Sequence, residues 1–309
     1  MGLLEQIRVV DSVLTQLAWG YADPAFVAEA LFPIVNVDKE SAKIPTFGKE
    51  AFYDYATERA IRGDSNVAPP RARSTTDIAL VEHDFADPID YREISEDVFN
   101  REQESTMYTL SVINRRRERL AAGAAQTTGN YASGHYATLS GTTQFSHADS
   151  PPIATIETAK EVVRTAIGVR PNVLLMGAVV YKTLKDHGDL TDRIKYSMKG
   201  VVTPDLMAEI FGIPKVVVAD SIYSTDAGVM TDIWSDSLVM AYVPEAPGAK
   251  VARSMYRPSF GYTFRKSGWP QVDKYIGAGG KVTNVRSTDI FLSKIVGSTA
   301  GYLMLDCIA

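Results

Sequence analysis

The residue types best suited to chemistry lie in one short run of this sequence, Asp186-His187-Gly188-Asp189. A histidine flanked by carboxylates has the composition of a general base, and with a serine it would suit a small α/β hydrolase. Neighbouring residues at the end of a helix, however, point in different directions. The run is therefore better explained as a histidine at the C-terminal end of a helix, followed by a glycine that stops the helix.

No second motif supports catalysis. The other histidines are His83, His135 and His147, and none of the four belongs to an HExxH, HxH or Cys/His spacing typical of zinc sites. The sequence also lacks the phosphate-binding patterns GxxxxGKS/T and GxGxxG and the nucleophile elbow GxSxG. We expect no catalytic residue, no bound metal and no cofactor, and we expect the histidines to lie on the surface or in loops.

The bulk composition is that of a soluble globular protein. The chain has 309 residues, of which 45% are hydrophobic and 22% charged, and its net charge is −5. Its length allows two or three domains, and an acidic balance does not suggest a protein wrapped around nucleic acid. The single cysteine, Cys307, lies among apolar residues and is predicted to be a small buried hydrophobe. Without a signal peptide or membrane span, we expect synthesis in the cytoplasm.

The spacing of apolar residues predicts helices around a long central one. Residues 3–18 read as an amphipathic helix, and a short helix is expected to start near Asp23-Pro24. The longest helix should run from about Ser95, its N-cap, to Ala125 and span roughly 45 Å. Its predicted apolar stripe consists of Phe99, Met107, Leu110, Ile113, Leu120 and Ala124.

Four arginines lie toward the C-terminal end of this long helix: Arg115, Arg116, Arg117 and Arg119. Two interpretations stay open. The arginines form a solvated face at the end of the helix that favours cations, or they contact another subunit or nucleic acid. A basic cluster without interleaved aromatic residues is weak support for nucleic-acid binding.

Strands and helices alternate after a polar loop at 127–152 and a helix at 154–167. The predicted elements are strands at 173–176, 215–219, 233–234 and 238–243, with helices at 178–186 and from Thr203 to Phe211. This pattern predicts an α/β lobe of about 90 residues. Residues 288–295 and 301–308 are expected to form a strand pair that packs against the long helix.

Residues 35–92 form a long polar segment whose two ends alternate apolar and polar residues, as half-buried strands do. Its middle has few large apolar residues, and an isolated two-stranded hairpin is at best marginally stable in water. We therefore expect an extended arm that lies on the rest of its own domain or on a neighbouring molecule. The second possibility indicates an assembly rather than an enzyme.

The arm is basic in its first part and acidic in its second. The basic residues from 39 to 73 are Lys39, Lys43, Lys49, Arg59, Arg62, Arg71 and Arg73, against five acidic residues. Residues 74–91 contain no lysine or arginine, and their acidic residues are Asp77, Glu82, Asp84, Asp87 and Asp90. Either charged strand edges prevent aggregation, or complementary surfaces set the register between copies.

The order of these parts resembles the major capsid proteins of tailed bacteriophages, which have the Hong Kong 97-type fold. Shorter stretches match as well. Phe26-Val27-Ala28-Glu29-Ala30-Leu31-Phe32-Pro33 looks like the entry into the family's extended loop, and Asp186-His187-Gly188-Asp189-Leu190-Thr191-Asp192 looks like part of its axial domain. Tyr242-Val243-Pro244, Gly261-Tyr262-Thr263-Phe264 and Gly301-Tyr302-Leu303 resemble late elements of the family.

The resemblance implies an α+β fold with an N-terminal arm at 1–34 and an extended β loop at 35–92 that lies over an adjacent subunit. A peripheral domain with the spine helix would occupy 93–170, an α/β axial domain 171–262, and returning C-terminal strands 263–309. The implied function is self-assembly into an icosahedral shell of pentamers and hexamers around packaged double-stranded DNA, in the virion capsid.

The resemblance also implies partners and leaves alternatives. A separate scaffolding protein is expected, together with a portal and possible decoration proteins, and no membrane. Some family members join the loop to a neighbour by a Lys–Asn isopeptide bond, for which Lys39, Lys43 or Lys49 would supply the amine and Asn284 the amide. The rival functions are an encapsulin-type bacterial compartment and the small α/β hydrolase.

Overall fold

The computed structural model describes residues 10–21, 23–46, 53–55, 57–59, 61–67, 74–96, 100–194, 202–244, 258–277 and 279–309. Its helices are α1 Ser12–Gly20, α2 Tyr91–Glu96, α3 Arg101–Gln126, α4 Pro152–Ile167, α5 Ala178–Lys185, α6 Gly188–Ile194 and α7 Pro204–Phe211. Its strands are β1 Ile34–Val37, β2 Ser41–Pro45, β3 Thr75–Ala79, β4 Val81–Asp90, β5 Tyr136–Thr138, β6 Val173–Gly177, β7 Lys215–Ala219, β8 Ile222–Ser224, β9 Met230–Asp232, β10 Leu238–Ala241, β11 Gly261–Lys266, β12 Gln271–Ile276, β13 Val282–Ile295 and β14 Gly301–Leu305.

A five-stranded sheet is built around the long strand β13. Strand β4 pairs antiparallel along β13 on one side, β11 and β12 share the other side, and β1 adds in parallel beyond β11. Helix α3 packs on this sheet, where the buried hydroxyls of Thr109 and Ser287 lie 2.7 Å apart. Helix α1 lies at the outer edge, where Val10 bridges to Asp273.

A second five-stranded sheet has the order β5-β14-β10-β6-β7. Residues of β6 alternate between two apolar clusters, since Leu175 packs with Trp234 and Leu303 on one face. On the other face Leu174 packs with Phe211 and residues of α4 and α5. Because both faces are covered, β6 and β10 are buried along their whole length, as expected for strands in an α/β lobe.

The predicted pairing of the last two strands is wrong, because β13 and β14 belong to different sheets. The turn between them crosses from one sheet to the other, with the Val296 N–H donating to the Phe260 carbonyl and the Tyr242 N–H to the Ala300 carbonyl. A Cβ on Gly301 would lie 2.4 Å from the Phe260 ring, so a glycine is required at this crossing. The predicted strand at 233–234 is also wrong, since Ser235 turns the chain with a φ of 40°.

The predicted long helix is two helices. Helix α3 begins at Arg101, and the Asn100 side chain accepts a hydrogen bond from the Gln103 N–H at 3.3 Å, so Asn100 rather than Ser95 is the N-cap. Met107, placed in the apolar stripe by the sequence pattern, is 45% exposed. Near Asp23-Pro24 the chain forms a turn, and between α1 and β1 the described residues form a single 3-10 turn at Ala28–Ala30.

Within the predicted arm at 35–92, both ends belong to the first sheet through β1 and β4. Between them β2 and β3 form a separate two-stranded antiparallel ribbon, which confirms the strand-prone character of this segment. We call residues 38–80 the ribbon. In the strands of the ribbon, Ile78 is buried, with 2% of its surface exposed. The described residues of the ribbon form no apolar cluster of their own.

Candidate functional site

His187 and Ser150 form an arrangement that resembles a catalytic pair, and the tautomer of His187 does not suit that role. Its Nδ1 accepts a hydrogen bond from the Asp189 N–H at 3.1 Å. The neutral ring must therefore carry its proton on Nε2, which lies 3.1 Å from Ser150 Oγ and 3.2 Å from the His147 carbonyl. A protonated Nε2 is a donor and does not take a proton from Ser150, whose side chain is also buried.

The expected helix stop at Gly188 is wrong, because Gly188 is the first residue of α6. His187 joins the end of α5 to this second helix, as the Leu190 and Thr191 N–H groups both donate to its carbonyl oxygen. The histidine therefore acts as a buried connector between two short helices.

Two other histidines and the cysteine take part in packing and hydrogen bonds within the fold. His135 lies in a loop, as expected, where it is buried with its Nδ1 3.0 Å from the Gly301 carbonyl. His83 stacks on Phe291 with ring centroids 4.4 Å apart, and burial, aided by the Arg116 charge, lowers its pKa. Cys307 is buried as predicted, and burial raises the pKa of its thiol. Among the described residues no group of three or more potential metal ligands occurs.

The four arginines of α3 reach different neighbours, since successive residues of a helix project in different directions. Arg117 Nη2 donates to Glu29 Oε1 at 2.9 Å, and the Arg119 guanidinium lies 4.0 Å from the centroid of the Tyr223 ring. Arg116 is exposed and acts on His83. Burial raises the pKa of Tyr21, and the positive charge of Arg115 opposes part of that rise. Arg117 and Arg119 therefore link α3 to the N-terminal segment and the β8–β9 hairpin, while Arg116 acts on β4 through its charge.

A buried carboxylate that accepts several hydrogen bonds, Glu118, was not among the predicted site residues. Glu118 is 2% exposed, and its carboxylate accepts hydrogen bonds from the Ala28 N–H at 2.9 Å and from the Trp234 indole at 2.7 Å. It also accepts from the Val27 N–H at 3.1 Å. Burial raises the pKa of Glu118, and these hydrogen bonds oppose that rise. One acidic residue inside a run of arginines was the available sequence signal.

The ribbon carries part of the predicted charge pattern. Lys43 and Asp77 are register partners on β2 and β3, with Nζ and Oδ1 3.9 Å apart and both side chains about three-quarters exposed. Lys39 is exposed, and Arg59 donates to the Gly63 carbonyl at 2.6 Å. Lys49, Arg71 and Arg73 lie outside the described residues. An exposed pair such as Lys43–Asp77 contributes little stability.

Three contacts tie the base of the ribbon to its own sheet, one of them from the Ser267 hydroxyl, which donates to Asp38 Oδ1 at 2.8 Å. Lys294 Nζ donates to the Asp77 carbonyl at 2.7 Å, and Lys266 forms an ion pair with Glu40. The rest of the described ribbon displays large apolar side chains to solvent. These are Tyr53 at 59% exposure, Tyr55 at 40%, Ile61 at 96% and Val67 at 88%.

Glu82 and Asp84 lie on β4 within the first sheet, and both are exposed. Strand β4 and helix α3 also carry four exposed apolar side chains, which we call the apolar seam: Val81, Phe85, Met107 and Tyr108. The Phe85 and Tyr108 rings meet edge to face with centroids 6.0 Å apart, and the four side chains are 37–53% exposed. Because successive side chains of a strand point to opposite faces, Glu82 and Asp84 lie on the face of β4 opposite to Phe85.

The described helices include none that is long and apolar enough to cross a membrane.

The capsid structure of cyanophage P-SCSP1u has a TM-score of 0.61 at 11% identity, covering 93% of this chain and 89% of that one. An encapsulin from Synechococcus elongatus PCC 7942 has a TM-score of 0.54, also at 11% identity, covering 98% of each chain. At these identities the two likenesses show the fold alone, and they fit both shell-forming functions.

Sequence similarity separates these two functions. A phage-related protein from Bordetella bronchiseptica RB50, known from a crystal structure, is 28% identical with a TM-score of 0.81, covering 98% of this chain and 99% of that one. A major capsid protein of Burkholderia phage BcepMu is 48% identical over 304 residues, which are 98% of either chain. The model of phage major capsid protein E matches residues 28–258. The chain therefore belongs to the phage major capsid protein E family, and its function is that of a phage major capsid protein.

Proposed function

We propose that the subunits assemble chiefly through the ribbon, which lies across a neighbouring copy. The observation that carries this proposal is the exposure of Tyr53, Tyr55, Ile61 and Val67 on a ribbon without a core of its own. Large apolar groups on a two-stranded ribbon gain free energy only when another surface covers them. The ribbon's basic residues, including Lys39, Lys43, Arg59 and the undescribed Lys49, Arg71 and Arg73, add charge to this surface.

The apolar seam is the surface of the neighbour that best matches the ribbon. It offers the rings of Phe85 and Tyr108, and Glu82 and Asp84 add negative charge on the other face of β4. Apolar contact would supply most of the affinity, and the opposite charges would set the register and increase the rate of encounter. Arg116 is exposed close to β4, and we include it and the other α3 arginines among the assembly contacts.

Membership of the family supports the following proposal for the larger assembly. Residues 1–34 form the N-terminal arm, 35–92 the extended loop, 93–170 the peripheral domain, 171–262 the axial domain, and 263–309 the strands that follow it. Pentamers and hexamers of this subunit build an icosahedral shell around double-stranded DNA. A separate scaffolding protein, a portal and decoration proteins complete the virion, and the subunit is made in the host cytoplasm. The subunit acts without catalysis.

A paired set of variants tests the ribbon. In Tyr53→Ser with Ile61→Ser, we expect an unchanged far-UV circular dichroism spectrum and melting temperature, because both side chains are exposed. We expect at least a tenfold loss of particles in sucrose gradients and negative-stain micrographs. Val169→Ser removes a side chain that is 38% exposed outside both surfaces and serves as the control. Normal particle yield from the ribbon variant would refute the proposed contact.

The content of the particles tests the remaining alternative. An encapsulin-type compartment would hold protein cargo, whereas a phage head holds DNA that survives nuclease treatment of intact particles. We expect nuclease-protected double-stranded DNA in particles from an infected or induced host. Particles that contain only cargo protein would favour the compartment.

A further inference from the structure

The β8–β9 hairpin displays a second group of apolar side chains, far from the ribbon in sequence. Ile222, Val229 and Met230 are 48%, 60% and 67% exposed. The two strands pair through only Ile222–Ser224 and Met230–Asp232. Because so short a hairpin cannot bury these side chains by itself, their grouping marks a contact surface.

The hairpin is held in one position before any partner binds. The Tyr223 ring lies under the Arg119 guanidinium of α3 at 4.0 Å. The Ile233 N–H donates to the Ser221 carbonyl at 3.0 Å, and the Thr225 N–H donates to the Val229 carbonyl at 2.9 Å across the turn. A surface that is already ordered loses little conformational entropy on binding, so its apolar area contributes more to affinity.

The charge of the hairpin selects the partner. Residues 220–236 contain Asp220, Asp226, Asp232 and Asp236 and no lysine or arginine. Within the described part of the chain, none of these carboxylates forms an ion pair with a basic side chain. A complementary surface would therefore combine apolar and basic side chains.

Helix α5 presents such a surface. Val179 is 37% exposed, and Lys182, which is also exposed, follows it by three residues on the same side of the helix. Lys185 continues this stripe, and the helix contains no acidic residue before its C-cap, Asp186. Neither lysine has an ion-pair partner among the residues that the structure describes.

The hairpin and α5 lie on opposite sides of the second sheet. Tyr223 packs against the cluster that contains Trp234, whereas Val180 and Leu184 of α5 belong to the cluster on the other face. They are thus placed to meet between copies rather than within one. We infer that the β8–β9 hairpin of one copy docks on α5 of the next, as a head-to-tail contact that closes into rings. This inference rests on the proposed self-assembly and adds an interface distinct from the ribbon.

A charge exchange tests the pairing. In Asp226→Lys, and separately in Lys182→Glu, like charges would meet at every interface, and we expect at least a tenfold drop in particle yield with an unchanged melting temperature of the subunit. In a chain carrying both substitutions every interface regains opposite charges, and we expect yield to return to within about threefold of the original chain. Asp149→Lys changes an exposed carboxylate elsewhere and should leave yield unchanged.

Folded single variants that assemble normally would overturn the docking, and so would a folded double variant that stays defective. If the unsubstituted chain forms no particles, the proposed assembly itself fails. The contact is then tested by disulfide formation in a chain that carries Val179→Cys and Met230→Cys. The native Cys307 is buried and should not cross-link. A ladder of linked copies on a non-reducing gel supports the contact, and monomer alone refutes it.

Discussion

Removal of the Glu118 carboxylate should strongly destabilise the subunit without touching any assembly surface. In Glu118→Ala the Ala28 N–H, the Val27 N–H and the Trp234 indole all lose their acceptor in a site where the glutamate is 2% exposed. A buried donor left unpaired costs about 1–3 kcal/mol. The alanine variant no longer buries a charge, which offsets part of the cost of the three unpaired donors. We therefore expect the free energy of unfolding to fall by about 3–5 kcal/mol, the range for a broken buried charge network.

The variant Glu118→Gln keeps a hydrogen-bond acceptor at this position but removes the negative charge. The amide keeps one oxygen that can accept from Trp234, but its NH2 group then faces a backbone donor. We expect a loss of about 1–3 kcal/mol, smaller than that of Glu118→Ala. Glu29→Gln is the matched control, because it removes the carboxylate of the Arg117 ion pair at a side chain that is 55% exposed, where about 1 kcal/mol or less is at stake.

The assay is urea unfolding of the unassembled subunit at neutral pH, monitored by tryptophan fluorescence. Hydrogen exchange at residues 27–31 localises the effect, since the Val27 and Ala28 amides should lose protection in both Glu118 variants. A Glu118→Ala chain within about 1 kcal/mol of the original would refute the assigned role of the carboxylate. Equal losses in the glutamine and alanine variants would show that the retained oxygen contributes nothing.

The pH dependence follows from the raised pKa of Glu118. A carboxyl with a raised pKa in the folded state binds its proton more readily there than in the unfolded chain. Its contribution to stability is therefore greatest below the ordinary glutamate pKa and is lost as the pH rises through the folded value. The stability difference between the original chain and Glu118→Gln should accordingly grow as the pH falls from 7 toward 4.5.

Three further substitutions test local packing and capping. Gly177→Ala would place a Cβ 1.9 Å from the Ser235 carbonyl oxygen, and we expect no soluble folded subunit in expression trials. Lys160→Met removes the buried ammonium that donates to the Phe211 carbonyl at the end of α7, and should lower the free energy of unfolding by about 1–3 kcal/mol in urea. Thr203→Ala removes the N-cap of α7, where the threonine side chain accepts from the Leu206 N–H, and should cost about 1 kcal/mol in the same assay.

Elements fixed by local signals could be predicted from the sequence. The predicted helix at 154–167 is present as α4, where the apolar residues Ile156, Ala159, Val163 and Ile167 recur at spacings of three and four and are all buried. The limits of α7 were also predictable. Thr203 caps its start, and Gly212 ends it with a φ of 59°, a conformation that glycine adopts without strain.

Pairings between distant segments could not be predicted in the same way. The alternation in residues 288–295 and 301–308 indicates strands, yet it does not identify the strand that each will pair with, so β13 and β14 were wrongly joined. Likewise Glu118 and Ser95 look like ordinary helix residues. Only the approach of residues 27–28 and Trp234 gives Glu118 its role, and Asn100 caps α3 in place of Ser95.

The contacts that hold the subunit together differ in kind from those proposed to join subunits. Within the chain, buried charges such as Glu118 and the Arg265–Asp289 pair at 2.6 Å link the N-terminal segment, α3 and the sheets. The proposed assembly surfaces instead carry exposed apolar groups and exposed charges, each of small free energy. Because exposed side chains contribute little to folding, substitutions at Ile61 or Asp226 should change particle yield and leave subunit stability nearly unchanged. Substitution of Glu118 should instead lower the stability of the subunit, and particle yield should fall only because less folded subunit is present. This difference allows a folding defect to be distinguished from an assembly defect in one set of variants.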